Sequence, residues 1–206
     1  MSAFLGPIHF WLYNKIQGQL GMVDDIILLA KEKWNISLDE KLIKQYGIPE
    51  RRLLDDVIDT GNIHGWLQTQ VSDVENRLAF AVIELLKIDS TYIEELKSLF
   101  WLKGREAGLN LGQGVKIGKL YRIISDVWLD GMPCDHAYRI VEEAEDEITV
   151  QREICVHEQY WSNLGADISD YYILRNSWNE GLLDSQGVRV YWIDSNTYKI
   201  SREETA

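Results

Sequence analysis

Apolar residues in the first part of the chain recur every three or four positions, the spacing of one face of an α-helix. These positions are Ile8, Leu12, Ile16, Val23, Ile27 and Ala30. Pro7 suits the first turn of such a helix. A shorter helix is predicted from Ser37, a residue typical of helix N-caps, to Gly47, which precedes Pro49. The pattern therefore predicts a long helix followed by a short one.

The opening of this pattern returns further along the chain. Gly, Ile, His, Trp and Leu occupy matching positions in residues 6–12 and 61–67. Because His and Trp are rare residues, the match indicates one helical unit copied in tandem. Two helical hairpins, residues 6–47 and 61–103, then predict a four-helix array over residues 1–105.

The pattern changes after Gly104, where four glycines from Gly108 to Gly118 predict a loop. The elements predicted beyond it are a helix at 121–129, a strand at 148–157 with a hairpin partner at 138–141, helical segments over 159–183, and a hairpin of 188–193 with 197–200. The predicted fold class is α+β, with duplicated helical hairpins followed by a small antiparallel sheet and helices. We expect residues 106–206 to pack on the first part as one unit.

Composition excludes several classes of partner. Hydrophobic residues make up 46% of the chain and charged residues 26%, which is the balance of an ordinary globular protein. The net charge of −12 argues against nucleic acid and anionic membrane surfaces, because binding to either needs a basic face. We therefore expect a small-molecule ligand as the partner, and the sequence is compatible with a homo-oligomer.

The sequence also predicts a location. No apolar stretch approaches the roughly 20 residues that span a bilayer, and the N-terminus lacks the features of a signal peptide. Two cysteines, Cys134 and Cys155, do not make a disulfide framework. We expect a cytoplasmic protein.

Two histidines, His9 and His64, occupy the same place in the two copies, near the start of a long helix. The helix dipole disfavours imidazolium there, and neutral imidazole is the form that binds metals or acts as a base. The pair could converge on one metal ion. The alternative is a packing motif, in which each histidine caps a neighbouring carbonyl and Trp11 and Trp66 are largely buried in equivalent core positions.

A second group combines cysteine with histidine. If the predicted hairpin turns at residues 145–146, its register places His136 opposite Cys155. The same register places Cys134 opposite His157. Four such side chains on one face would form a Cys₂His₂ set suited to Zn or Fe, whereas a slip of one residue would divide them between two faces. The alternative is buried cysteine beside surface histidines.

Cys155 and His157 also fall on the polar face of the predicted strand. Cysteine is usually buried, so its presence on this face predicts an enclosed polar space rather than open surface. We expect the two side chains to share this face and to act as the catalytic residues of a small-molecule enzyme.

The helical region after the sheet is rich in aromatic residues. Arg175 with Tyr171, Tyr172 and Trp178 could hold a carboxylate through charge-assisted hydrogen bonds while rings stack on an apolar part of the ligand. Tyr160 and Trp161 lie in the same aromatic region and are also candidate ligand-binding residues. The alternative is that the aromatic residues belong to the core and Arg175 is a surface charge.

From Asp126 to Ile200 the order of features resembles the L-2-amino-thiazoline-4-carboxylate hydrolase-like proteins. The resemblance consists of a strand ending in Cys155, a short helix, the run Leu164-Gly165-Ala166-Asp167, an aromatic helix and a final hairpin. It implies an α+β domain of bacterial cytoplasmic metabolism that binds a small carboxylated, sulfur-bearing or otherwise polar metabolite. Cys155 is the position that corresponds to a catalytic residue.

Together these patterns predict a small-molecule-binding protein. One hypothesis is a hydrolase that acts on a small polar or carboxylated metabolite with the assistance of Zn or Fe. The other is a ligand-binding or sensory protein without catalytic activity. A metal bound in stoichiometric amount would favour the first hypothesis.

Overall fold

The computed structural model describes residues 4–130 and 135–202. Over these residues the chain forms eight helices and four strands, so the predicted α+β class is confirmed. Contacts divide the chain into two units, which are residues 1–90 with 159–166 and residues 91–158 with 167–206. The division after residue 90 differs from the predicted boundary at residue 105, because the helix that contains residue 105 packs within the second unit.

The described part of the first unit is helical. Its elements are α1 (Pro7–Trp34), α2 (Leu38–Tyr46), α3 (Leu54–Val57), α4 (Ile63–Ile88) and most of α7 (Glu158–Ser162). α1 packs along α4. Of the stripe predicted for α1, Ile16, Val23 and Ala30 are buried, whereas Ile8 is exposed. In the described ranges no helix is both long enough and apolar enough to cross a membrane.

The repeat of 55 residues stays a prediction. Five pairs of positions at this spacing are buried in both α1 and α4: Gln19 and Val74, Leu20 and Glu75, Val23 and Leu78, Ile26 and Ala81, and Ala30 and Leu85. The helices of the second predicted hairpin, however, fall in different units. α5 (Tyr92–Leu109), which follows α4, belongs to the second unit.

The second unit combines helices with a sheet. After α5 its elements are α6 (Ile117–Val127), β1 (Tyr138–Glu143), β2 (Glu147–Arg152), α8 (Ser169–Asp184), β3 (Val188–Trp192) and β4 (Thr197–Arg202). The strands pair antiparallel in the order β1-β2-β4-β3. Both predicted hairpins are therefore confirmed. Ile148, Val150 and Ile200 are buried and contribute to the core.

The loop predicted from the glycines after Gly104 is partly wrong. Gly104 and Gly108 lie inside α5, where both are buried against α8. A Cβ on Gly104 would overlap the backbone carbonyl of Trp178, and a Cβ on Gly181 would overlap that of Trp101. Glycine is present because the two helix backbones touch, and not because the chain turns.

Candidate functional site

The register of the β1–β2 hairpin decides which predicted site residues can meet. The turn is the predicted one, since the Ala144 amide donates to the Glu147 carbonyl at 2.8 Å. A bulge at Val141 then shifts the register by one residue, and the Glu153 amide donates to the Ala137 carbonyl. The predicted opposition of His136 and Cys155 is therefore wrong, because a shift of one residue exchanges the faces of a strand.

The strand itself is also shorter than predicted. β2 ends at Arg152, so Cys155 and His157 follow it in an irregular segment and do not share a strand face. His157 is buried, whereas Cys155 is half-buried. His136 is exposed and Cys134 lies outside the described residues. Across 4–130 and 135–202, no group of three or more His, Cys, Asp or Glu side chains could hold a metal ion.

His9 and His64 do come together in the first unit. Their ring centres are 5.3 Å apart in an edge-to-face arrangement. The Nδ1 atom of His9, however, accepts a hydrogen bond from the Gly6 amide at 2.9 Å. The acceptor role of Nδ1 places the proton of the neutral ring on Nε2. The Nδ1 lone pair is already used by the Gly6 amide at the helix N-terminus. This geometry favours the packing alternative over a metal ligand at His9.

The tryptophans of the same motif are not in the core. Trp11 and Trp66 are both partly buried and neither belongs to the fully buried core, so the prediction that they are largely buried in equivalent positions stays a prediction. The Trp11 ring lies under the Lys15 ammonium at 4.4 Å, and the Trp66 ring packs against Tyr13 with centres 5.9 Å apart. Tyr13, which is 5% exposed, occupies the interior in their place.

Helix α8 presents two different faces to the second unit. Tyr171 and Arg175 are four residues apart, share one face, and are buried. Tyr172 and Asn176 lie one position further along, so they point to the neighbouring face and are half-buried. One face builds the core and the next lines an open cleft.

The buried face carries a polar network around Asp130. The Asp130 carboxylate pairs with the Arg175 guanidinium, and its Oδ2 lies 3.4 Å from His157 Nε2. The Tyr171 hydroxyl lies 3.0 Å from the same His157 nitrogen. Burial opposes ionisation of Asp130, but the charges and hydrogen bonds of Arg175 and His157 outweigh it and hold its pKa well below the usual range. Trp128, which donates to Asn179, covers the network.

The neighbouring face carries a row of side chains that ends at Cys155. The Arg152 guanidinium donates to the Asn196 side-chain oxygen at 2.7 Å and lies 4.0 Å above the Tyr172 ring. The Tyr172 hydroxyl donates to Cys155 Sγ at 3.2 Å. Burial and this bond to Cys155 raise the pKa of Tyr172, so the phenol stays protonated and remains a donor.

This row forms one wall of a cleft of about 610 Å³ in the second unit. The β3–β4 turn forms the opposite side, with the Trp192 ring 47% exposed. Asp194 shapes that turn by accepting the backbone amides of Asn196 and Thr197, both at 2.7 Å. The remaining lining residues are Glu158, Asp167, Ile168, Ser169, Ile173, Asn176 and Ser195. The cleft thus joins an aromatic and aliphatic surface to one guanidinium, one thiol and three carboxylates.

The predicted ligand-binding residues are mostly core residues. Trp161 is fully buried and Tyr160 is 6% exposed, with its hydroxyl 3.3 Å from Ser72 Oγ. Tyr171 is also buried, and Arg175 is neutralised by Asp130 rather than exposed to a ligand in the cleft. Arg175 is not the surface charge of the alternative prediction either, since it is 4% exposed.

Two cleft residues, Arg152 and Trp192, were missed by the sequence reasoning. Arg152 had a visible signal, because it is the one charged residue in the apolar series of Ile148, Val150, Ile154 and Val156. A charge at an inward position of a strand is costly unless it is paired, and it therefore marks a site. Trp192 had no comparable signal, since tryptophan is common in strands.

Comparison with protein-family models, with curated proteins and with solved structures gave no significant match to this chain.

Proposed function

We propose that the second unit binds a small polar or carboxylated metabolite in the cleft beside Cys155. The observation that carries this proposal is the continuous row of Arg152, Tyr172 and Cys155 along the cleft wall. The volume of about 610 Å³ falls in the range of about 300–1,000 Å³ that is usual for small-molecule sites.

The composition of the cleft supports a ligand with two chemically different ends. Trp192, Ile168 and Ile173 offer an apolar surface against which a ring or an alkyl chain can pack. Arg152 offers a planar guanidinium, the side chain best suited to a carboxylate. The resemblance to the L-2-amino-thiazoline-4-carboxylate hydrolase-like proteins supports the same class of ligand.

A second candidate function is hydrolysis with Cys155 as the nucleophile. The hydrogen bond from Tyr172 to the sulfur favours it, because a donor to the sulfur stabilises the thiolate. In this reaction the thiol sulfur attacks an acyl carbon and breaks its bond to the leaving group, which departs with the thiol proton. Water then attacks the thioester, which releases the carboxylic acid and restores the thiol.

The proposed hydrolysis does not use His157 as a general base. Its Nε2 atom faces Tyr171 and Asp130 in the buried network, whereas the sulfur of Cys155 is bound by Tyr172. Metal assistance is not part of the proposal either, because among residues 4–130 and 135–202 no group of three or more His, Cys, Asp or Glu side chains could hold a metal ion. The proposal assumes the cytoplasmic location predicted from the sequence, where a thiol stays reduced.

Ligand binding can be tested by thermal unfolding in the presence of a panel of small carboxylates and their neutral amides. A true ligand raises the unfolding temperature, because it binds only the folded state. Arg152→Gln and Trp192→Ala should each abolish the shift. Arg122→Gln, which removes the same charge from an exposed position on α6, should keep it. A shift that survives both cleft variants would place the ligand elsewhere.

The thiol can separate the two candidate functions. Cys155→Ala should keep the thermal shift of any ligand identified in this way, since Arg152 and Trp192 remain. If the wild-type protein hydrolyses that ligand and Cys155→Ala does not, the chain is an enzyme. If the ligand binds to both proteins and is released unchanged, the chain is a ligand-binding protein.

A further inference from the structure

A small polar chamber lies directly behind the cleft, inside the second unit. It has room for about one water molecule. Five of its lining residues also line the cleft: Arg152, Tyr172, Asn176, Trp192 and Ser195. The chamber and the cleft are therefore separated only by these side chains.

The deeper lining of the chamber is rich in hydrogen-bond donors. It comprises Tyr138, Arg175, Asn179, Asn196 and Tyr198. No carboxylate lines the chamber among the residues that the structure describes, although two guanidinium groups do. A guanidinium has five N–H donors, more than a single carboxylate oxygen can accept. Asp130 neutralises Arg175, so Arg152 supplies the positive charge of the chamber and the neighbouring side chains supply further donors.

The tyrosines of the chamber add neutral donors. Burial raises the pKa of Tyr138, Tyr172 and Tyr198, and this effect exceeds the opposite effect of the Arg175 charge. All three phenols stay protonated at neutral pH, so none of them contributes a negative charge to the chamber. The Arg175 guanidinium lies 4.8 Å from the Tyr138 ring centre, which holds it at the chamber wall.

We propose that this chamber is the anion subsite of the cleft and takes one oxygen of a small carboxylate. The inference rests on the proposed function, and it adds the orientation of the ligand. The carboxylate points inward between Arg152 and Asn176, and the apolar body lies outward against Trp192. The atoms next to the carboxylate then lie near Cys155, because Arg152 and Cys155 contact the same Tyr172 side chain.

The overall charge of the protein predicts that the cleft prefers neutral or cationic molecules over anions. The anion subsite predicts the opposite preference, which makes the proposal testable. The chain has a net charge of −12, and Glu158, Asp167 and Asp194 lie at the cleft. These carboxylates repel anions and favour neutral or cationic reagents. A preference for an anionic reagent at Cys155 therefore requires a local site that overcomes this repulsion.

The test compares two alkylating reagents that differ mainly in charge, iodoacetate and iodoacetamide. A Cys134→Ser background leaves Cys155 as the single thiol, and intact mass reports its alkylation rate. The ratio of the iodoacetate rate to the iodoacetamide rate is measured for the folded chain and for the same chain unfolded in urea. We expect the folded ratio to exceed the unfolded ratio by about tenfold, the effect of the nearby Arg152 guanidinium.

A charge change at the chamber mouth provides the decisive variant. Asn176→Asp places a carboxylate in the chamber and should lower the ratio by about tenfold. Asn110→Asp makes the same chemical change at an exposed residue outside the lining and should leave the ratio unchanged. Arg152→Gln gives a second measurement that does not depend on the folding of the Asn176 variant, and it should also lower the ratio.

Failure of this inference differs from failure of the proposed function. A folded ratio equal to the unfolded ratio, or one that Asn176→Asp and Arg152→Gln do not lower, overturns the anion subsite. If iodoacetamide still alkylates the folded chain and carboxylates or amides protect Cys155, the proposed ligand cleft survives that result. If no small molecule protects Cys155 from iodoacetamide, the cleft itself is not a ligand site.

Discussion

The backbone carbonyl of Trp178 in α8 lies directly against Gly104 in α5, with no space for a side chain between them. The backbone carbonyl of Trp101 in α5 likewise lies directly against Gly181 in α8. Each helix thus supplies a glycine at the place where the other helix presents its backbone. This contact explains why α5 packs so extensively on α8.

Replacing Gly104 by alanine should therefore destabilise the protein, although alanine is the better helix former. Overpacking against a backbone carbonyl costs about 3 kcal/mol, which exceeds the roughly 1 kcal/mol gained from helix propensity. The free energy of unfolding in urea measures the net loss. Gly21→Ala is the matched control, because a Cβ there meets nothing within 4 Å in the middle of α1. The control should be as stable as the wild type or slightly more stable.

Asp130 and Arg175 give a prediction about pH. Asp130→Asn should cost about 3–5 kcal/mol at neutral pH, because it leaves the Arg175 guanidinium buried without its partner. The pKa of Asp130 is lowered in the folded state, so its ionic contribution is complete above the ordinary aspartate pKa of about 4. That contribution decreases as the pH falls below this value.

The measurement is urea unfolding of both proteins between neutral pH and about pH 3, the upper part of the range in which the contribution is lost. The stability difference between wild type and Asp130→Asn should narrow as the pH falls. Asp126→Asn, at an exposed position on α6, serves as the control for removal of one carboxylate. A difference that stays constant with pH would mean that Asp130 has the same pKa in the folded and the unfolded protein, so that its partners do not stabilise the carboxylate.

The bond from Tyr172 to Cys155 predicts a change in thiol reactivity. Tyr172→Phe removes the donor to the sulfur and should slow alkylation by iodoacetamide by about tenfold or more at neutral pH, since hydrogen bonds to charged groups contribute about 1.5–3 kcal/mol and about 1.4 kcal/mol corresponds to a factor of ten. Mass spectrometry in the Cys134→Ser background measures the rate. Tyr191→Phe makes the same change at an exposed residue of β3 and should have no effect.

Burial also predicts how much stability Trp128 and Trp11 each contribute. Trp128 is fully buried beside Tyr171 and Trp178, so Trp128→Ala should cost at least the 3–5 kcal/mol typical of an emptied aromatic site. Trp11→Ala should cost less, because its side chain is only partly buried. Denaturant unfolding compares the two. Equal losses would show that Trp11 contributes to the core more than its exposure indicates.

Periodicity predicted most of the elements, because local patterns determine them. The apolar stripe around Val23 gave α1, and alternation around Ile148 gave β2. The same reasoning failed where one residue changes a non-local relationship. Nothing in the local pattern of β1 marks Val141 as a bulge, yet the bulge separates His136 from Cys155.

Sequence reasoning named Cys155 and Tyr172, which line the cleft, and did not name Arg152 and Trp192. The catalytic role of Cys155 stays a prediction. Arg175 was recognised as important, but its partner Asp130 is 45 residues away and no short-range signal connects them. A salt bridge between distant residues depends on tertiary packing, so a single sequence does not reveal it.

The glycine contacts between α5 and α8 have a mechanical consequence for the cleft. Helices whose backbones touch cannot slide past each other by even a fraction of an ångström without a clash. α8 carries Tyr172 and Asn176, so the contact with α5 holds this side of the cleft rigid. Any adjustment of the cleft to a ligand must come from the opposite side, where the β3–β4 hairpin holds Trp192 and Ser195 near the surface.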